Sequence, residues 1–316
     1  MKAQQDIYSE IFNVIDFEKI KDHPNILIAA NFWDEDRYDA AKTCYKLMRA
    51  IDDLVDNYKT EHPVITEKEK DLLSTDVEKW INTIINHSNS DPVHNEIVKT
   101  FNQFSIPVWP MEDFARSMLY DISHDGFPTL QAFLDYAQGA SIAPASIFVH
   151  LCGIRKKDNQ YIAPAFNVKE AATPCAIFSY LVHIIRDFQK DQLNHLSYFA
   201  DDMIEQNGLD RKKLSDMAHG GKIEDGFRNL IREYYLVADT YRLKTYDMIQ
   251  KIRPFLEPRY QLSLEIIFNL YLMVFERIDF QHGNFTTEEL NPTSGEVKRM
   301  VYETIRDFEN TSANLK

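Results

Sequence analysis

Apolar residues recur every three or four positions along almost the whole chain, while glycine occurs only 9 times in 316 residues. No other feature narrows the fold so far. A period near 3.6 puts the apolar side chains on one face of a helix. So few glycines cannot supply the tight turns of a many-stranded sandwich or barrel. Residues 34–56 carry Tyr38, Ala41, Tyr45, Met48, Ile51 and Val55 at helical spacing, which predicts a long helix. Thr66 followed by Glu69 is a capping-box signal for a helix over 66–87. Residues 86–92 and 105–110 read as loops. A short helix over 111–125 stops at Gly126-Phe127-Pro128, and Thr129 caps the next, which runs towards Gly153 with a kink expected at Pro144. Residues 156–164 read as a polar loop. A long apolar helix is expected from Lys169 to about His195, and two more over 222–252 and 258–280. Asn291-Pro292-Thr293 opens the last, with the proline near its first turn. Roughly ten helices around one core make an all-α bundle, one domain over residues 1–316, whose helix-borne sites face one another in the interior.

Composition narrows the function. Hydrophobic residues are 44 % and aromatics 12 %, enough to bury a large core, so disorder is excluded. With 35 Lys plus Arg against 49 Asp plus Glu, the net charge of −14 disfavours nucleic acid as a partner. Cys44, Cys152 and Cys175 are odd in number and far apart, which points to a reducing compartment. The N-terminus lacks a signal peptide, and the greasiest stretches, 176–185 and 264–275, are shorter than the ~20 residues of a membrane helix. A cytoplasmic location is expected. No polybasic segment drives membrane association, although peripheral contact stays open, as does the oligomeric state.

Two acidic patterns carry the chemistry. One is Asp52-Asp53-Leu54-Val55-Asp56; the other is Asp187-Phe188-Gln189-Lys190-Asp191. In each, two aspartates stand four apart, so their carboxylates share a helix face about 5–6 Å apart, at a cost in repulsion. One such turn is common on a solvated helix. Two in one helical chain, each among apolar neighbours, argue for a bridging cation. Asp oxygens are hard ligands and no Cys or His cluster accompanies them, so Mg²⁺ is favoured over zinc. Mg²⁺ normally shares its shell with water and substrate phosphates, so facing arrays would grip a diphosphate. Arg49 and Arg186 stand beside the arrays, placed to bond phosphate oxygens. Taken alone, His183 reads as a core histidine. Phe166, Phe178, Tyr180, Tyr234, Tyr235, Phe268, Tyr271 and Phe275 are most cheaply explained as core, with an apolar tunnel as the minority reading.

These residues resemble the squalene/phytoene synthase family. The stretch from Arg49 to Asp56 looks like its first aspartate-rich motif and that from Ile184 to Asp191 like its second. Met118-Leu119-Tyr120-Asp121 matches a family turn, and Tyr136 and Tyr198 sit where the family carries substrate-facing tyrosines. The resemblance spans about residues 31–278. It implies an isoprenoid-synthase fold with a central cavity, and head-to-head condensation of two prenyl diphosphates through a cyclopropyl diphosphate. It implies Asp52, Asp53, Asp56, Asp187 and Asp191 as catalytic residues and ligands of roughly two or three Mg²⁺ ions. It implies Arg49, Arg186, Tyr136, Tyr198 and His183 as substrate-binding residues. NADPH is left as an undetermined second cofactor, and farnesyl diphosphate is favoured over geranylgeranyl diphosphate. The chain departs from the family at His183, where Asn is usual, and at Leu196, where Arg is usual. It also departs in the short segment before Arg49 and in the added Pro144. Two alternatives stand beside this reading: a cyclase or diphosphate lyase acting on one prenyl chain, and a non-catalytic assembly or binding protein of the same fold.

Overall fold

Asp34 starts the first long helix by accepting a hydrogen bond from the Arg37 amide at 3.1 Å. The computed structural model describes Ile11 and residues 24–62, 65–85, 92–158 and 160–314. A short α1 (Asn25–Ala30) precedes α2 (Glu35–Glu61). The apolar stripe of α2 is buried, from Ala41 through Cys44, Met48 and Ile51 to Val55. Thr66 and Glu69 form the expected capping box: the Thr66 amide donates to Glu69 Oε2 at 2.8 Å and the Glu69 amide to Thr66 Oγ1 at 3.4 Å. The box opens α3 (Glu67–Ile85), and the expected loop 86–92 lies outside the described residues except for its last position. Then come α4 (Pro92–Gln103) and α5 (Trp109–Ser123). Thr129 caps α6 (Leu130–Ala137) through the Ala132 amide at 3.1 Å.

The chain bends near Pro144, but ahead of it. Gln138–Ile142 form a π-helical turn, and Pro144 sits in the first turn of α7 (Ala143–Gly153), where its missing N–H costs no helical bond. The turn lies close against α5: a Cβ on Gly139 would overlap the Asp113 carbonyl oxygen and Ser117 Oγ, so only glycine fits. Ser141 Oγ donates to the Ala176 carbonyl at 2.8 Å, pinning the turn to the central helix.

The polar loop expected over 156–164 holds a small antiparallel hairpin, β1 (Arg155–Lys157) and β2 (Gln160–Ile162). Its anchor is Tyr161, whose ring packs on Phe104 with centroids 4.6 Å apart, a tertiary contact that a polar local sequence does not announce. Next is α8 (Val168–Arg186), apolar on most of its circumference and buried accordingly. The single helix expected from Lys169 to about His195 is instead broken: Asp187 leaves helical geometry at ψ 6°, and α9 (Phe188–Leu193) restarts after it. Further on lie α10 (Asp201–Gln206), α11 (Arg211–Ala218), α12 (Asp225–Ile252) and α13 (Pro258–Phe275). The helix expected to reach residue 280 closes five residues sooner, because the Arg277 and Ile278 amides turn back to Val274 and Phe275. A short α14 (Thr287–Leu290) precedes α15 (Ser294–Asn314). Pro292 stands before this last helix rather than in its first turn, and Thr293 with Glu296 forms its capping box.

Among the described residues the architecture is all-helical apart from the hairpin and the isolated bridge between Phe127 and Ala200. At its centre α8 packs mainly on α12, and on α7 and α13, while α2 packs on α5 and α7. No helix among the described residues is long and apolar enough to cross a membrane.

Candidate active site

A cavity of about 560 Å³ opens between α2, α7, α8, α12 and α13. Such a volume lies within the ordinary range for ligand sites. Its two ends differ in chemistry. One is lined by Asp52, Asp56, Asp187 and Asp191; the other by side chains such as Ala172, Ala176, Ile249 and Leu264. The lining face of α8 runs from Ala172 to its end beside Asp187, about 22 Å at 1.5 Å per residue. A cleft of that length lays out an extended chain rather than a compact ligand.

On α2, Asp52 and Asp56 are four residues apart and both reach the cavity. Arg49 Nη1 donates to Asp52 Oδ2 at 2.8 Å. Asp53 does not join them. It lies outside the lining and pairs with Arg49, leaving its carboxylate about two-fifths exposed. Burial pushes the Asp52 carboxyl up to about 7, with the Asp56 charge adding to the effect, and burial also raises Asp56.

The break at Asp187 serves the second array. Its residue closes α8 with its amide on the His183 carbonyl at 2.9 Å, while its buried carboxylate takes three side-chain bonds. Arg186 Nε donates to Oδ1 at 2.7 Å and Arg186 Nη2 to Oδ2 at 2.9 Å. His183 Nε2 lies 2.7 Å from Oδ2. Burial opposes ionisation of Asp187, but the bonds from Arg186 and His183 outweigh it and hold the carboxyl well below the usual range. Burial and then Arg186 lower the His183 pKa, which favours a neutral imidazole donating to Asp187. Arg186 thus sits behind Asp187 and outside the lining, whereas His183 lines the cavity. Asp191 is one turn beyond, with no Lys, Arg or His within ion-pair distance among the described residues; burial and then Asp187 push its carboxyl up to about 7.

The arrays face each other across one cleft. Asp56 on α2 raises Asp191 on α9, and Lys190 on α9 lowers Asp56. Tyr136, Tyr180 and Tyr198 line the cavity next to them. Tyr136 donates its hydroxyl to Asp121 on α5, and its ring lies 6.3 Å from that of Tyr180, which is in turn 6.3 Å from Tyr198. The segment bearing Tyr198 is held by pairing between Phe127 and Ala200, with the Asp201 amide donating to the Phe127 carbonyl at 2.8 Å. Burial raises all three phenols far above their ordinary range, so they stay neutral.

Among the described residues no three His, Cys, Asp or Glu converge closely enough to enclose a metal ion unaided. The donor set nevertheless suits Mg²⁺, which takes one or two carboxylates and completes its octahedron with water and phosphate oxygens. Asp56 and Asp191 make no ion pair among the described residues and face the same space.

Beyond the predicted residues, Asp121, Tyr180 and Asn194 belong to this end of the cavity or its support. Asp121 was legible as part of the matched turn, and its carboxyl too is pushed by burial up to about 7. Asn194 left no signal. Of the aromatic positions read as core, Tyr180 and Tyr271 line the cavity, whereas Phe178 packs between Phe268 and Phe275.

An all-helical fold with two facing aspartate pairs at the mouth of an oily cavity defines the class of isoprenoid synthases. The squalene/phytoene synthase family model matches residues 21–296, and the chain belongs to that family, whose members are transferases that condense prenyl diphosphates. Two solved structures share the fold. A dehydrosqualene synthase in complex with ligand is 14 % identical at a TM-score of 0.64, over 96 % of this chain and 99 % of that one. The squalene synthase HpnC from Alicyclobacillus acidocaldarius is 14 % identical at 0.63, over 91 % and 94 %. A comparison with curated proteins found no match.

The raised carboxyls predict a pH signature. A carboxyl whose folded pKa exceeds its unfolded value lends stability below the unfolded pKa and loses it as pH rises through the folded one. Asp52, Asp121 and Asp191, moved up to about 7, therefore favour the metal-free fold at pH 5 over pH 8. Cation binding needs the ionised forms. The rise in melting temperature on adding Mg²⁺ with inorganic pyrophosphate is expected to be larger at pH 8 than at pH 6. Scanning fluorimetry at both values reads this directly, and an equal or absent rise contradicts it.

Proposed function

We propose that the protein catalyses Mg²⁺-dependent head-to-head condensation of two prenyl diphosphates, farnesyl diphosphate favoured, through a cyclopropyl diphosphate to a squalene- or phytoene-type product. One observation carries the reading: carboxylates from two helices meet at one end of a cavity whose other end is hydrocarbon. Asp52, Asp56, Asp187 and Asp191 would hold the metal, with Arg186 and His183 fixing the Asp187 carboxylate. When bound, Mg²⁺ supplies Lewis-acid charge to the diphosphate oxygens as the leaving group departs. The rest falls to the chain. The apolar walls orient the prenyl tail and exclude the water that would quench an allylic cation. The faces of Tyr136, Tyr180 and Tyr198 stabilise that cation, each by about 0.5–2 kcal/mol. Asp53 stands apart from the cavity, and its part is to steady Arg49.

The test is mass spectrometry of products from farnesyl and geranylgeranyl diphosphate with Mg²⁺, with and without NADPH. A C30 or C40 product with release of pyrophosphate is expected. A product with one chain's carbons would instead establish a cyclase or lyase, the reading that the departures at His183 and Leu196 favour. No turnover of either substrate would leave a binding role.

A further inference from the structure

Two cations line the cavity at its acidic end on helices that face each other, Arg49 on α2 and Lys190 on α9. Their situations differ. Arg49 is committed, its guanidinium shared between Asp52 and Asp53. Lys190 is exposed, and no carboxylate or carbonyl lies within bonding distance of its Nζ among the described residues. Its charge nevertheless reaches groups on three sides, lowering Asp191 on its own helix, Asp56 across the cleft and His183 at the end of α8. Leu196, beyond the turn after α9, also lines the cavity and brings no charge.

Lys190 lines the cavity close to both carboxylate arrays, pairs with neither among the described residues and, being exposed, adds little to the packing of the fold. A salt bridge to Asp191 or Asp56 would be open to it, because a four-carbon stem is flexible. What it lacks is an anion. We infer that Lys190 binds the diphosphate of the substrate directly, as the mobile cation of a site whose arginine is already engaged, on the reading of the cavity as a prenyl diphosphate site. The ammonium offers three donors and a point charge, which suits a phosphate that is also sharing oxygens with metal. It would draw the diphosphate towards α9, next to Asp187 and Asp191, and leave Asp52 and Asp56 to close from the other side.

Isothermal titration of inorganic pyrophosphate into the protein, with and without Mg²⁺, tests this on the parent chain, Lys190→Met and Lys190→Arg. Because Lys190 is exposed, its variants keep the fold, and circular dichroism checks it. Lys190→Met is expected to bind pyrophosphate about tenfold more weakly, equivalent to about 1.4 kcal/mol. The loss should appear without Mg²⁺ as well as with it, and Lys190→Arg should recover most of the affinity. Added KCl should weaken the parent more steeply than Lys190→Met. Equal or tighter binding by Lys190→Met overturns the assignment while leaving the diphosphate site intact. Failure of the parent itself to bind pyrophosphate removes both.

Discussion

Asp191→Asn is expected to yield a protein that melts at a higher temperature and has lost its turnover. The two effects share one cause. Burial and the neighbouring Asp187 push the Asp191 carboxyl up to about 7, so at pH 8 without a divalent cation the folded state carries a charge it would rather not hold. An amide of the same shape removes that charge and keeps the packing. Solvent screening discounts the shift, and the gain should be on the order of 1–3 kcal/mol, which raises the melting temperature by a few degrees, about 2–4 °C per kcal/mol. Catalysis moves the other way. The amide is a weaker metal ligand and adds no negative charge to the array, and loss of one preorganised charge in such a site costs about 10²–10³-fold in turnover. Sites that store unfavourable charge for function show this trade between stability and activity. Asp53→Asn is the control: outside the cavity and paired with Arg49, it should change turnover by less than about tenfold. Thermal melts at pH 8 with EDTA, beside product formation from farnesyl diphosphate, decide the matter. An Asp191 variant that melts lower, or keeps parental turnover, refutes this account of the array.

Much of the site could be read from spacing. Successive residues on a helix are about 100° apart, so Asp52 and Asp56 lie about 40° apart, while Asp53 stands about 100° from Asp52 and about 60° from Asp56, on the side where Arg49 takes its carboxylate. The four-residue spacing picks out the pair that lines the cavity, whereas Asp53 entered only through the family resemblance. At the second array Asp187 and Asp191 both line the cavity, but the single helix expected there is broken at Asp187. Asp187 leaves helical geometry to take bonds from Arg186 and His183, and aspartate is a residue whose side chain competes with the backbone ladder. No periodic pattern reports such a break, because Ile184, Ile185 and Phe188 stay buried on either side of it. The capping boxes at Thr66 and Thr293 and the cap at Thr129 are local chemistry: the first and third were legible from sequence, and the second sits where only a proline had drawn notice. The cavity itself was the hard part. Periodicity says that a side chain turns inward, not whether it meets another side chain or an empty space. Phe178 and Tyr180 are two residues apart on α8, yet one closes the core and the other faces the cavity.

Filling the oily end should silence the enzyme while sparing its grip on diphosphate. Ala176 is the position for this: it lies at mid-length on the cavity face of α8, its side chain is buried, and its neighbours on that face, Ala172 and Ser179, are also small. Phenylalanine there puts a ring across the space a prenyl tail needs. Its packing cost should be modest, about 1–3 kcal/mol, because the ring enters a cavity and not a filled core. Asp187 stands eleven residues, about three helical turns, beyond it, so the arrays and the diphosphate they hold should be undisturbed. Turnover of farnesyl diphosphate by Ala176→Phe should therefore fall by more than about 10²-fold, since a prenyl chain held out of alignment forfeits the gain from positioning. Affinity for inorganic pyrophosphate with Mg²⁺ should stay within about twofold of the parent, as distant sites act independently. The pairing of these two measurements is what discriminates. If both collapse, the helix has been distorted and a smaller replacement, Ala176→Val, repeats the test. If turnover survives with Phe in place, the hydrocarbon tail runs elsewhere and the cavity is not its channel.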